Sequence, residues 1–122
     1  MPNQPEVATV ARFVERCLGD SAKRILDVGC GTGILLPYIG QDSLRREVVE
    51  LDSAEAMLVE NRKKAAARIA THVCADARVL PFRDASFDRV ICFNALPHLA
   101  PIDAALQRIH QLEDIVNNAK KK

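Results

Sequence analysis

Arg24-Ile25-Leu26-Asp27-Val28-Gly29-Cys30-Gly31-Thr32-Gly33-Ile34-Leu35-Leu36 is a short β-rich run that ends in a cluster of glycines and passes at once into an apolar segment. Arg24 to Val28 predicts a strand and Ile34 to Ile39 a helix, with the glycines as the tight turn between them. A glycine turn of this kind lets main chain approach a ligand closely. It sits at the carboxyl end of a strand, where open α/β sheets bind their ligands. The spacing is G-x-G-x-G, one residue shorter than the G-x-G-x-x-G of dinucleotide-binding turns, which disfavours a nicotinamide-binding domain. No Lys-Ser or Lys-Thr pair follows, so a phosphate-cradling P-loop is excluded.

Working outward, Val7, Val10, Ala11, Val14 and Leu18 fall on one stripe of a helix over Glu6 to Leu18, which Gly19-Asp20 ends. Downstream, Glu47-Val48-Val49-Glu50-Leu51 predicts a second strand ending at Asp52. The hydroxyl of Ser53 is then placed to cap a helix from about Ala54 to Arg68. Thr71 to Ala75 predicts a third strand with Asp76 immediately after it, Leu80 to Ser86 a loop, and Phe87 to Phe93 a fourth strand. Pro101 opens a last helix that carries Ile102, Ala105, Ile109, Leu112 and Val116 on one face. Strands that alternate with helices and are apolar on both faces require crossover connections, hence parallel pairing under helices on both sides.

Composition agrees with one soluble domain. The chain has 122 residues, 48% of them hydrophobic and 27% charged, and with only 4% aromatics its core must be Leu, Ile, Val and Ala. Its net charge of +1 comes from Lys120, Lys121 and Lys122, without which 14 basic residues face 16 acidic ones. Such a body lacks the basic field that nucleic acid or an anionic membrane surface requires, and the Lys run reads as a solvated terminus. Cys17, Cys30, Cys74 and Cys92 show no zinc or redox spacing. Cys74 and Cys92, inside strand-like runs, are expected to pack as small hydrophobes. With no signal-like N-terminus and no apolar run of membrane-spanning length, the expected location is the cytoplasm, with no metal and no membrane partner.

Leu26-Asp27-Val28-Gly29-Cys30-Gly31-Thr32-Gly33 resembles the first motif of class I S-adenosylmethionine-dependent methyltransferases. Val49-Glu50-Leu51-Asp52-Ser53-Ala54-Glu55-Ala56-Met57-Leu58 resembles the family's second strand with its acidic end. Asp76-Ala77, Leu80-Pro81-Phe82 and Ser86-Phe87-Asp88 resemble its third-strand turn and fourth strand, and Ala95-Leu96-Pro97-His98-Leu99 its next loop. The pattern is closest to small-molecule enzymes such as the quinone-biosynthesis C-methyltransferases.

The resemblance implies a Rossmann-like three-layer α/β fold with parallel strand order 3-2-1-4, S-adenosylmethionine as cofactor and a small-molecule methyl acceptor. It also implies roles. Gly29, Cys30, Gly31 and Gly33 would bring main chain against the methionine portion, with Asp27 serving its ammonium. Asp52, next to Ser53, would accept the ribose hydroxyls, Asp76 the adenine amino group, and Ala77 would supply a main-chain donor. Met57 would be an apolar wall. Asn94 and Leu96 would flank the methionine end, and His98 is the first candidate for a catalytic base, ahead of His72 and His110. Beside these stand plainer readings: Asp52 and Asp76 as turn caps, Met57 as core, Cys30 as a small turn residue and His98 as a loop residue.

The family's Pro-Gly-Gly turn and later strands are not matched, since no Gly occurs after Gly40. The expected organisation is a single truncated domain over 1–122, with an N-terminal helix (1–23), a cofactor-binding core (24–100) and a C-terminal helix with its Lys tail (101–122). Two functions follow: a methyltransferase, or a catalytically silent cofactor-binding or structural fragment that self-associates. A homodimer is expected through the open edge of strand four or the last helix.

Overall fold

The computed structural model describes residues 7–19, 22–39, 46–64, 69–93 and 102–113. Its elements in chain order are α1 (Val7–Leu18), β1 (Arg24–Val28), α2 (Leu36–Ile39), β2 (Glu47–Asp52), α3 (Glu55–Arg62), β3 (Ala70–Cys74), β4 (Arg89–Ile91) and α4 (Ile102–Leu112). All pairings are parallel, and the sheet order is β3-β2-β1-β4, as the alternation and the resemblance imply.

Side chains alternate across the sheet and build a core on each face. Ile25 of β1, Val48 of β2 and Ile91 of β4 pack with Val10, Val14 and Leu18 of α1 and with Leu36 and Ile39 of α2. On the other face Leu26, Val28 and Leu51 meet Leu80, Phe87 and the α4 residues Ile109 and Leu112. Helix α1 therefore forms for its stripe, which only burial against the sheet can stabilise, at about 1.5–3 kcal/mol per fully buried Leu or Val. No described helix is long and apolar enough to cross a membrane.

Polar staples fix the layers. Arg46, only 8% exposed, donates to the carbonyls of Ala22, Ile39 and Gly19 at 3.0, 2.8 and 3.2 Å, tying the ends of α1 and α2 to the start of β2. The Asp88 carboxylate accepts from the N–H groups of Lys23 and Arg24 at 2.8 and 2.9 Å, so β4 is latched to the first residue of β1.

Several expectations change. Ser53 does not cap α3: the N-cap is Ala54, whose own side chain makes no capping bond, while Asp52 Oδ1 accepts the Ala54 N–H at 2.9 Å. The helix starts at Glu55, one residue later than a Ser53 cap requires, so the hydroxyl stands one position upstream of the cap. The helix is shorter than predicted, with Lys63 and Lys64 in a turn, and residues 65–68 lie outside the described ones. Strand β4 covers only Arg89–Ile91. Ahead of it Phe87 makes a single parallel bridge to Glu113, and its N–H donates to the Leu112 carbonyl at 3.1 Å, so the outer side of this segment is not bare. Cys74 is exposed rather than packed, because β3 is an edge strand. Cys92 is half-buried against the α4-side core.

Candidate functional site

The glycine turn closes on the end of β2. Gly29 and Cys30 donate their N–H groups to the Leu51 carbonyl at 2.8 and 3.0 Å, and the Gly31 N–H donates to Asp52 Oδ2 at 2.9 Å. Gly33 adopts φ of +93°, and a Cβ there would come within 3.0 Å of Asn61 Nδ2, so both backbone and space require glycine. A cavity of about 120 Å³ opens between the turn and the β4 end, lined by Asp27, Gly29, Cys30, Gly31 and Phe93 among others.

Under the turn lies a buried polar row. Asp27 of β1 is the register partner of Glu50 of β2, and Glu50 is that of His72 of β3. Asp27 is 1% exposed and Glu50 and Asn61 not at all. From α3, Asn61 Nδ2 donates to Glu50 Oε1 at 2.9 Å and to the Gly31 carbonyl at 3.2 Å, while its Oδ1 meets His72 Nε2 at 2.8 Å. Burial, then the hydrogen bond with Glu50, then the negative charges of Glu50 and Asp52 push the Asp27 carboxyl well above the usual range. The Cys30 thiol is also pushed up, mainly by burial, so it stays protonated and unreactive. His72 is lowered, first by burial and then by the nearby Arg62 charge.

At the other end of the site Asp76 is exposed and already engaged. Arg78 grips it through Nε at 3.0 Å and Nη2 at 2.7 Å, and its N–H donates to Oδ1 at 2.8 Å. These bonds hold the Asp76 carboxyl down at about 2. Ala77 is buried in the α4-side core. Met57 is 45% exposed, which removes the core reading and leaves an apolar surface beside Asp52.

The structure thus brings together Asp27, Gly29, Cys30, Gly31, Gly33 and Asp52 at one corner, with Ser53 and Met57 exposed next to it and Asp76 with Ala77 beyond β3. Asn94, Leu96 and His98 lie outside the described residues. Sequence reasoning missed Glu50, Asn61 and Arg78. A signal existed for Glu50: a charged residue in the middle of a strand apolar on both faces needs a buried partner.

Residues 25–113 match the family model described as a methyltransferase domain. Over 103 residues the chain is 36% identical to demethylmenaquinone methyltransferase of Thermus thermophilus, covering 83% of this chain and 47% of that protein. It is 37% identical over 95 residues to malonyl-[acyl-carrier protein] O-methyltransferase of Halorhodospira halophila, covering 74% and 31%. Among solved structures it is similar to S-adenosylmethionine-bound CalS10, an amino pentose methyltransferase from Micromonospora echinaspora. That likeness has a TM-score of 0.66 at 31% identity and covers 84% of this chain and 42% of that one. The chain spans less than half the length of these relatives.

Proposed function

We propose, from the premise that this chain belongs to the class I S-adenosylmethionine-dependent methyltransferase family, that it binds this cofactor over the carboxyl ends of β1 and β2 and serves methyl transfer to a small-molecule acceptor. The observation that carries the reading is the cavity bounded by the glycine turn and by Asp27, whose Oδ2 is buried with no donor among the described residues other than a proton held by Glu50 or Asp27 itself. An orphaned acidic oxygen beside main chain without side chains suits an amino-acid ammonium, so the residues present fit the cofactor.

When bound, the cofactor supplies a methyl carbon activated by its sulfonium. The chain's own residues do the holding. Gly29, Cys30, Gly31 and Gly33 give close main-chain approach, and Asp27 takes the ammonium. Asp52 offers the ribose hydroxyls the lone pairs left by its bonds to Gly31 and Ala54, since a carboxylate has about four acceptor positions. Met57 walls the adenine, Ser53 lies alongside, and Asp76 with Ala77 meets its polar edge. Asn94 and Leu96 complete the methionine end. In-line displacement needs chiefly distance and angle, with His98 as the candidate to take a proton from an acceptor that must lose one.

Two of the three acceptors named for the relatives, a demethylmenaquinone and an amino pentose, support the small-molecule class, while the third is a malonyl group borne on an acyl-carrier protein. A cytoplasmic location and a homodimer through the β4 edge or the α4 helix, whose Leu106 is 45% exposed, belong to the same reading. Calorimetric titration with S-adenosylmethionine, followed by transfer of its labelled methyl to quinol, sugar and acyl acceptors, tests it. Binding without transfer to any acceptor supports the silent cofactor-binding fragment, and no binding overturns the cofactor readings and leaves only the structural fragment. Light scattering at micromolar concentration tests the dimer.

A further inference from the structure

Asp27 and Glu50 face each other as register partners on adjacent strands, at 1% and 0% exposure. Glu50 Oε1 is taken by Asn61 Nδ2 at 2.9 Å, which leaves Glu50 Oε2, and Asp27 Oδ2, buried with no donor from any other group. Two acceptor-only oxygens orphaned side by side cost several kcal/mol if both carboxyls are ionised. One proton between them satisfies both, as one carboxyl becomes a donor to the other.

We propose that Asp27 and Glu50 share a single proton in the cofactor-free chain, and that Glu50 thereby sets the charge of the ammonium pocket, one negative charge with the proton and two without. The coupling to cofactor rests on the proposed function; the shared proton does not. A cation arriving in the cavity beside Asp27 favours the doubly charged form. The carboxylic O–H bond then breaks, the proton passes to a buffer base, and an ammonium N–H···O bond replaces it.

Among the described residues, the surroundings leave no other group to supply the charge balance. The turn contributes Cys30, a neutral thiol, and β2 contributes Asp52, whose carboxylate faces Gly31 and Ala54. From β3, His72 is lowered and so neutral near pH 7, with the exposed Arg62 of α3 beyond it. The cavity wall toward β4 and α2 is apolar, with Ile91 as the register partner of Asp27 and Leu35 and Phe93 beside it.

Stability and affinity should then move in opposite directions with pH. The Asp27 carboxyl is raised in the folded chain, so its contribution is complete below the ordinary carboxylate range and is lost as pH rises through the folded value. In that window the folded-to-unfolded ratio should fall by up to about tenfold per pH unit, while S-adenosylmethionine affinity gains by up to the same factor, the limits for one proton. Glu50→Gln keeps the shape and the Asn61 bond and provides a fixed neutral donor. It should flatten the stability profile. The wild-type-to-variant affinity ratio, which cancels titration of the ligand itself, should rise with pH.

Thermal unfolding of the ligand-free chain from about pH 4, the ordinary carboxylate range, up to about pH 10, wild type beside Glu50→Gln, is the deciding experiment. Equal slopes in the two proteins overturn the shared proton. If the variant does not fold, infrared spectra of the wild type at neutral pH decide: a carboxylic-acid C=O band supports the pair and its absence overturns it. Absence of S-adenosylmethionine binding sinks the cofactor reading alone, and binding whose wild-type-to-variant ratio ignores pH sinks the coupling alone.

Discussion

Asp27 and Asp76, at the carboxyl ends of β1 and β3, are the same residue in opposite circumstances. Asp27 is sealed behind the glycine turn and pushed up by burial and a second carboxyl; Asp76 stands in solvent and is held down at about 2 by Arg78. The difference teaches that the corner between β1 and β2 is built into the fold, whereas the rim beyond β3 is assembled from local side chains. Changes in the first should cost much stability, and changes in the second should act mainly on the rim's titration.

The hardest test of that division is Asn61→Leu. It orphans Glu50 Oε1, the Gly31 carbonyl and His72 Nε2 together, and should cost about 4 kcal/mol in urea unfolding, since each buried unsatisfied group costs about 1–3. A loss as small as that of a surface substitution would break the comparison. Gly33→Ala should come next, at about 3 kcal/mol, from left-handed strain and the collision with Asn61. Made in an Asn61→Ala background it should cost only the strain, about 1–2 kcal/mol, and a double-mutant cycle reads the difference.

Asp52 lies between the two regimes. Asp52→Ala should weaken S-adenosylmethionine by about 2 kcal/mol in calorimetry, through the ribose bonds and through release of the Gly31 N–H. Unchanged affinity with an intact fold would return Asp52 to holding the turn. Arg78→Ala should lower the unfolding midpoint at neutral pH only slightly, because the pair is exposed. Its larger effect is on titration: a depressed carboxyl contributes above its unfolded value and loses that contribution as pH falls, so without Arg78 the acid transition of Asp76 should move up from about 2 toward the ordinary carboxylate range. Carboxyl chemical shifts followed through acid report it.

What the sequence reveals here is what lies in contiguous segments. Leu26 to Gly33 displays strand, turn and ligand corner in eight residues, and the alternation of strands and helices is enough for parallel order. Asn61 is invisible by the same logic, because its partners Glu50, Gly31 and His72 come from three other elements and only the crossover brings them together. Ser53 misleads because residue preference alone does not fix the helix start, which falls one residue later, at Glu55. Cys74 misleads because a short apolar run reads alike at the middle and at the edge of a sheet. Arg78 reads in sequence as one more charge in a polar loop, although its place two residues after an aspartate already allows the grip.

The latch at Asp88 bears on how the chain reaches this structure. Joining β1 to β2 gathers a modest stretch of polypeptide, but the bonds from Lys23 and Arg24 to Asp88 span 65 and 64 residues. The entropy of ring closure grows with the logarithm of length, so the second closure costs about 1 kcal/mol more than the first. Parallel partners so distant in sequence place this domain among the slower folders of its size. Loop closure therefore favours a direction of assembly, with the ligand corner at β1 and β2 joined before β4 shuts the wall of the cavity.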